Sequence, residues 1–304
     1  MSIPRKTVLI VLSFFAIYFI WGSTYLLNKI TVTELPPFFL ASIRFFVSGI
    51  SIFIIALIMG VSLAVKRKQL LNTIISGFLF LVYGNGVFVW ALKYVDSGFG
   101  ALIASTQPLF VLLLMRLIDG KQIKTQSLIG IVLGIIGMYI LVSQQELLTK
   151  EGSLVGILMI LTCVFSWSFA SVFVSKATLP INYFVSTGYQ MTSAGLLLML
   201  ASLSFEETWT NPINWSAPVR WSMLLLIIFG GIIAFTAFNY LLKMVSTEKV
   251  ATSAYVNPII ALILGWYILD EKLTLQSIIA AIILLTGVYF ITTKRKLKIR
   301  LLGR

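Results

Sequence analysis

The 304-residue sequence contains no histidine, a single cysteine and only ten acidic residues. The absence of histidine removes the commonest metal ligand and the usual acid–base group near neutral pH. Cys163 has no partner for an internal disulfide, so it gives no information on the redox compartment. No Asp or Glu falls in the middle of a long apolar run. The sequence therefore offers neither a metal centre nor an acid–base pair, and we expect no metal and no cofactor.

Apolar residues dominate the chain instead. They make up 59% of the residues against 11% charged, with a mean hydropathy of +1.01. A water-soluble domain of this length could not bury so much apolar surface, so lipid must surround most of it. Apolar runs of spanning length lie near residues 7–30, 37–60, 70–92, 97–118, 125–143, 153–176, 183–205, 217–242, 249–269 and 275–292. These runs predict an all-α membrane protein with ten transmembrane helices. Arg5 and Lys6 precede a first helix that we expect to be retained rather than cleaved as a signal.

The basic residues orient these helices. If the N-terminus is cytoplasmic, seventeen of the twenty-three Lys and Arg residues fall on cytoplasmic segments, while Lys29 and Arg44 lie within the membrane. This bias predicts that both termini are cytoplasmic. The positive charge is scattered over loop ends and the C-terminal tail, as topology signals are. Nucleic acid is therefore not an expected partner, despite the net charge of +13.

The chain contains one passage twice. Residues 93–140 and 243–290 align without a gap at an offset of 150, with thirteen identities in forty-eight positions. The identities include the pairs Pro108/Pro258 and Gln126/Gln276, which are not hydrophobic filler. We interpret residues 1–146 and 147–304 as two five-helix repeats. Because five is an odd number, the second repeat must be inverted relative to the first, and such folds place a solute site where the halves meet.

Several short motifs resemble one family of membrane proteins. They are Trp21-Gly22-Ser23, Arg44-Phe45, Ala91-Leu92-Lys93-Tyr94-Val95, Pro108, Ser166-Trp167-Ser168, Tyr189-Gln190, Asn257-Pro258 and Asp270-Glu271-Lys272-Leu273-Thr274. Together they resemble the drug/metabolite transporter superfamily, specifically its ten-helix EamA-type exporters. The turn Asp119-Gly120-Lys121 departs from the family pattern. The resemblance implies export of small metabolites, often amino acids, across a bacterial inner membrane.

Polar residues on one stripe of an apolar helix indicate the face that avoids lipid. On this basis, together with the convergence expected of inverted repeats, the predicted solute-binding residues are Trp21, Tyr25, Asn28, Arg44, Asn85, Trp90, Gln190, Asn239 and Tyr255. Pro108 and Pro258 are expected to kink their helices, to free a carbonyl and to act in gating. Arg44 either reaches outward to the interface or meets a solute carboxylate or a helix C-terminus. Polar residues that only pack helices together produce the same stripes.

The lack of an acidic residue in the middle of the apolar runs bears on the charge of the solute. Exporters of cationic drugs generally need a membrane-buried carboxylate, so a neutral, zwitterionic or anionic solute is favoured over a multidrug substrate. A membrane enzyme would require paired acids, histidine or a metal site. A receptor or scaffold would not require two inverted halves. The expected partners are a small-molecule solute and the lipid bilayer, and the protein is either a monomer or a weak homo-oligomer.

Overall fold

The computed structural model describes residues 5–120, 125–144, 151–180, 182–245, 250 and 253–292. Among these residues the secondary structure is helical, without a strand. The helices are α1 (Lys6–Val32), α2 (Pro37–Ile58), α3 (Arg67–Ala91), α4 (Ser97–Ile118), α5 (Thr125–Val142), α6 (Ser153–Lys176), α7 (Tyr183–Ser204), α8 (Ala217–Met244), α9 (Ser253–Leu269) and α10 (Leu275–Thr292). Each lies close to one of the predicted apolar runs.

The outer surface of the bundle is apolar. Seven helices, α1 to α6 and α8, are long and apolar enough to cross a membrane, and α9 and α10 contain shorter apolar helices. Large side chains such as Leu117 (80% exposed) and Ile135 (61% exposed) point outward. Such a surface requires lipid as its solvent. The predicted all-helical membrane protein is confirmed, whereas the number of crossings and the side of the termini stay predictions.

Four helices depart from regular α-helical geometry. A π-helical turn, Ala16–Ile20, interrupts α1, and longer π-helical segments, Phe78–Val87 and Leu226–Phe235, occupy the middle of α3 and α8. Helix α4 breaks at Ser105 and Thr106, directly before Gln107 and Pro108. Helix α9 continues through Pro258. Because π-helical turns often occur at functional sites, these interruptions indicate where the interior of the bundle is specialised.

Contacts between the two halves of the chain are reciprocal. Helix α1 packs against α8 and α9, and its counterpart α6 packs against α3 and α4. The pairs α2 with α7, α4 with α9, and α5 with α10 each join corresponding helices. In the α5–α10 pair, Gly130 and Gly287 bring the backbones so close that a Cβ atom on either glycine would clash with the carbonyl oxygen of the other. Small residues permit such close helix packing in membranes.

Hydrogen bonds tie the loops together at two opposite ends of the bundle. At one end Lys29 Nζ donates to the carbonyls of Leu92 (2.6 Å) and Val95 (2.8 Å). This end also holds Glu34, Glu207 and Glu271, and we call it the acidic face. At the other end the Tyr189 hydroxyl donates to Leu63 O (3.1 Å). We call this end, which holds Lys66, Arg67, Lys68 and Lys176, the basic face.

Candidate functional site

A cavity of about 130 Å³ lies between the two halves of the chain. Helices α1, α2, α3, α4, α6, α7, α8 and α9 contribute to its wall. Its polar lining residues are Trp21, Thr24, Tyr25, Asn28, Arg44, Asn85, Ser105, Gln107, Trp167, Ser171, Ser253 and Asn257. Among the described residues that line it there is no carboxylate, so Arg44 is the charged group of this part of the cavity wall.

Arg44 is buried in α2 with only 3% of its surface exposed. Its Nη1 atom donates to two amide oxygens, Asn28 Oδ1 at 3.1 Å and Asn85 Oδ1 at 3.4 Å. The guanidinium carbon also lies 4.8 Å from the centroid of the Phe45 ring. The Nε atom has no hydrogen-bond partner in the structure. A buried guanidinium held by neutral amides keeps its full charge available for an anion.

Aromatic rings form the wall beside Arg44. Trp21 meets Trp167 edge to face at 5.8 Å between centroids and packs against Phe238 at 5.0 Å. Phe235 stacks with Phe238 at 6.0 Å. The indole Nε1 of Trp21 donates to Gly230 O at 3.4 Å, which fixes the ring against α8. The result is an apolar surface next to a cationic group, in a space suited to a small solute.

The π-helical segments of α3 and α8 allow these side chains to come together. Asn85 lies between Gly84 and Gly86 in the segment of α3, and Gly230 lies in that of α8. A Cβ atom at position 230 would lie 3.1 Å from Arg44 Nη2 and 3.0 Å from Thr24 Cγ2. Glycine is therefore required at Gly230 for the close approach of α2 and α8, and the segment leaves the guanidinium room at the cavity.

Corresponding prolines follow cavity-lining residues in both halves, Pro108 after Gln107 and Pro258 after Asn257. Proline has no N–H, so Pro108 and Pro258 cannot donate to the carbonyls of Ala104 and Ala254, four residues earlier. Both alanines line the cavity, as does Pro258. Beside Pro258, the Asn257 side-chain amide lies 2.9 Å from the Ile17 carbonyl and 2.8 Å from the Tyr18 carbonyl in the π-helical turn of α1. Its nitrogen donates to both when the amide orientation is assigned from this hydrogen bonding.

These contacts show a shared arrangement in the two halves. Gln107 and Asn257 are equivalent under the 150-residue offset and both line the cavity. The Asn257 side chain binds the π-helical turn of α1, and the backbone carbonyl of Gln107 accepts a hydrogen bond from the Ser168 hydroxyl in α6 at 3.3 Å. The proline-containing helix of each half, α4 or α9, is thus attached to the first helix of the other half.

A second polar cluster lies nearer the basic face. Gln190, which is fully buried, donates to Ser76 Oγ and accepts from Asn239 Nδ2, both at 2.9 Å. Asn239 also donates to Thr187 Oγ1 at 2.9 Å. Asn239 and Lys243 line an adjoining cavity of about 220 Å³. The two cavities share Ser171 and Leu242, so the polar interior extends from Arg44 towards the basic face.

The structure brings together part of the predicted set. Trp21, Tyr25, Asn28, Arg44 and Asn85 line the central cavity. Asn239 lines the adjoining cavity, Gln190 binds its own neighbours, and Trp90 packs edge to face against Phe38 at 5.4 Å. The side chain of Tyr255 lies outside the described residues. The walls formed by Phe235 and Phe238 were not predicted, because a phenylalanine that faces a cavity looks in sequence like one that faces lipid.

Fold and cavity together define a multi-pass helical membrane protein built around a polar internal site. Its sequence matches the model of the EamA-like transporter family twice, over residues 8–143 and 154–293. The chain belongs to this family.

Individual relatives agree with this assignment. The chain is 37% identical over 290 residues to the Escherichia coli K12 protein named "Uncharacterized inner membrane transporter YedA", with 92% of each chain covered. It is 23% identical to an E. coli K12 protein named "Probable amino-acid metabolite efflux pump", covering 89% of this chain and 90% of that protein. One solved crystal structure shares the fold, with a TM-score of 0.69, 19% identity, and coverage of 92% of this chain and 95% of that chain.

Proposed function

We propose that this protein exports small carboxylate-bearing metabolites, amino acids or related compounds, across the cell inner membrane by alternating access. The observation that carries the proposal is Arg44, a buried guanidinium at the wall of the central cavity with amide partners only. A solute carboxylate would supply the counter-charge that the described part of the cavity lacks. Export as the direction is supported by the relative named as a probable amino-acid metabolite efflux pump.

The aromatic wall supports a solute with an apolar part. Trp21, Trp167 and Phe238 lie within 6.0 Å of one another by ring centroid, next to the Arg44 site. A solute whose carboxylate binds Arg44 would place its side chain against these rings. This arrangement favours an amphipathic metabolite over a cationic drug, because a drug cation would meet the guanidinium with no carboxylate from the described lining to offset it.

We further propose ten crossings in two inverted five-helix units, residues 1–146 and 147–304, with both termini in the cytoplasm. The reciprocal contacts of α1 with α8 and of α6 with α3 support a twofold relation between the units. The bias of basic residues supports placing the basic face in the cytoplasm. The lipid bilayer and the solute are then the expected partners.

Replacing Arg44 tests the proposal. The protein is reconstituted in liposomes, and the affinity for a panel of amino acids is measured alongside their uncharged amide analogues. Arg44→Gln should weaken a carboxylate-bearing solute roughly ten- to a hundredfold, and hardly affect the uncharged analogue. Arg44→Lys should not restore full affinity if the carboxylate is held by two donors.

Arg220→Gln is the matched control, since this exposed arginine of α8 donates only to Ile213 O near the acidic face, away from the cavity. Equal losses for both kinds of solute would show that Arg44 is structural. If the unaltered protein transports none of the carboxylate-bearing solutes in the panel, the proposed substrate class is wrong.

A further inference from the structure

Three carboxylates at the acidic face bind the first residues of helices that belong to the other half of the chain. Glu207 and Glu271, from the second half, bind the starts of α2 and α4. Glu34, from the first half, binds the N-terminal end of α8. Each contact therefore joins the two halves at the acidic face. The adjoining cavity extends in the opposite direction, towards the basic face.

Glu207 closes the junction between α7 and α2. Its two carboxylate oxygens accept from Phe38 N at 3.1 Å and Phe39 N at 2.7 Å. These are the first N–H groups of α2, since Pro36 and Pro37 have none. A carboxylate at a helix N-terminus gains from charge-assisted hydrogen bonds and from the helix dipole.

Glu271 closes the junction between α9 and α4 in the same way. It accepts from Ser97 N at 2.7 Å and Gly98 N at 3.1 Å. A Cβ atom at Gly265 of α9 would clash with the Glu271 carboxylate, so this glycine provides the space in which the carboxylate sits. Glu34 adds a third contact, since its two carboxylate oxygens accept from Ser216 N at 3.0 and 3.3 Å.

The same turn precedes both of the second-half carboxylates. Glu206 and Asp270 each have a φ of 53°, in the left-handed region, and the next residue is the binding glutamate. The first half ends its corresponding helices with Gly60 and Gly120, whose φ angles are 70° and 63°. Glu207 N and Val61 N each donate to the carbonyl five residues earlier, Ser202 O at 3.0 Å and Ala56 O at 2.9 Å. The turns ending α2 and α7 are therefore equivalent in backbone.

Only the second half has an acid directly after the left-handed residue of these turns. Glu207 follows Glu206, and Glu271 follows Asp270, but Val61 follows Gly60 and Lys121 follows Gly120. Helix α7, which starts near the Gly60 turn at the basic face, is capped by its own Asn182, whose Oδ1 accepts from Phe184 N at 2.8 Å. At the acidic face these turns therefore join the halves through the carboxylates of Glu207 and Glu271. At the basic face the equivalent turn after α2 has Val61 in the position of the glutamate.

We propose that Glu34, Glu207 and Glu271 form a gate that holds the acidic face closed and biases the resting protein towards the state open to the basic face. Solute release at the acidic face requires the ends of α2 and α7, and of α4 and α9, to separate. That separation breaks four of the six backbone N–H contacts of the gate. The inference rests on the proposed alternating access, and it is tested without using transport.

Cysteine labelling from each side of the membrane tests the gate. The reporter is Ala104→Cys, a small, half-buried residue of the central cavity, in a Cys163→Ser background. In sealed vesicles of either orientation, an impermeant thiol reagent should label it mainly from the basic face. Glu207→Gln with Glu271→Gln should raise the labelling rate from the acidic face about tenfold or more and lower the rate from the basic face, because the two rates follow the two populations.

Glu206→Gln and Asp270→Asn are the matched controls, since these exposed acids are the immediate neighbours of the gate residues. They should leave both rates unchanged. Each single gate variant should shift the rates in the same direction as the double variant, by a smaller factor. Unfolding would raise labelling from both sides together, so the opposite change of the two rates identifies gating.

Unchanged rates in the gate variants, or equal shifts in the controls, would overturn the proposal and leave these carboxylates as static loop contacts. Labelling that follows the prediction in a protein that transports no carboxylate would uphold the gate and contradict the proposed substrate class instead.

Discussion

At the scale of single residues, the partners of Arg44 determine what the cavity can bind. Asn28 and Asn85 fix the guanidinium through neutral oxygens, and no carboxylate among the described lining residues neutralises its charge. A protein that needed Arg44 only for stability would gain from an acid at either position, because burying an unpaired charge is costly. Amides at these positions are consistent with a counter-charge that arrives with the solute.

The substitution Asn28→Asp tests whether the solute, rather than the cavity wall, supplies the counter-charge of Arg44. The new carboxylate would lie about 3 Å from Arg44 Nη1 and would neutralise it. We expect affinity for a carboxylate-bearing solute to fall at least tenfold, while the melting temperature of the protein stays the same or rises. Isothermal titration and thermal unfolding in detergent measure the two quantities.

Asn72→Asp serves as the control for affinity, because this half-buried residue of α3 donates to Thr178 O at the basic face, away from the central cavity. A lower melting temperature with unchanged solute affinity for Asn28→Asp would show that Asn28 serves packing rather than the binding site.

A polar group in an apolar helix predicts a side chain that faces the interior of the bundle, and Asn28, Arg44 and Asn85 do line the central cavity. Their binding of a solute stays a prediction. Gln190 and Asn239 give the same signal in sequence, but here each satisfies the other, at 2.9 Å. A buried polar network and a solute site differ only in whether the partner is part of the chain, and that depends on tertiary contacts.

At the scale of helices, the sequence predicted the apolar runs well and their interruptions poorly. The run near 37–60 corresponds to Pro37–Ile58, and the run near 183–205 to Tyr183–Ser204. The π-helical segments of α3 and α8 could not be predicted, because an extra residue in a helical turn leaves no periodic signature. Pro108 marked the weak point of α4, although the break itself lies at Ser105 and Thr106.

Pro258→Ala tests the role of the proline inside α9. The substitution restores an N–H donor to the carbonyl of Ala254, at the cavity wall, and removes the steric cause of bending. We expect a higher melting temperature, since one intramolecular hydrogen bond contributes about 1 kcal/mol. We also expect slower transport, several-fold by vesicle flux, because a straighter α9 is less able to bend between states.

Pro218→Ala is a suitable control, since Pro218 lies in the first turn of α8, where no carbonyl of the same helix is freed. A faster transport rate in Pro258→Ala, or an equal effect of the two substitutions, would argue against a gating role for Pro258.

At the scale of the whole molecule, the two faces differ in charge and in the bonds that join the halves. The family match over residues 8–143 and 154–293 agrees with two units. Their relative inversion stays a prediction, which rests on an odd number of predicted crossings per unit. The contacts that join the units, such as Asn257 with the π-helical turn of α1, depend on three-dimensional geometry and could not be read from spacing.

Surface labelling in intact cells tests the orientation. In a Cys163→Ser background, cysteine at Lys272 should react with an impermeant thiol reagent, because the acidic face is predicted to be external. Cysteine at Lys68, an exposed position at the basic face, should be protected until the cells are opened. The reverse pattern would invert the proposed topology and, with it, the side to which the gate opens.

The reciprocal packing of the two halves has a consequence for the ancestry of the chain. Since α2 meets α7, α4 meets α9 and α5 meets α10, exchanging the halves maps this set of contacts onto itself. One five-helix chain inserted in both orientations would build a similar bundle as an antiparallel dimer. We infer that fusion of two such copies allowed them to diverge. In the present chain the two halves differ in their side chains: the first contributes Arg44 to the cavity wall, and the second contributes Glu207 and Glu271 to the acidic face, so a symmetric set of helix contacts carries an asymmetric set of charges.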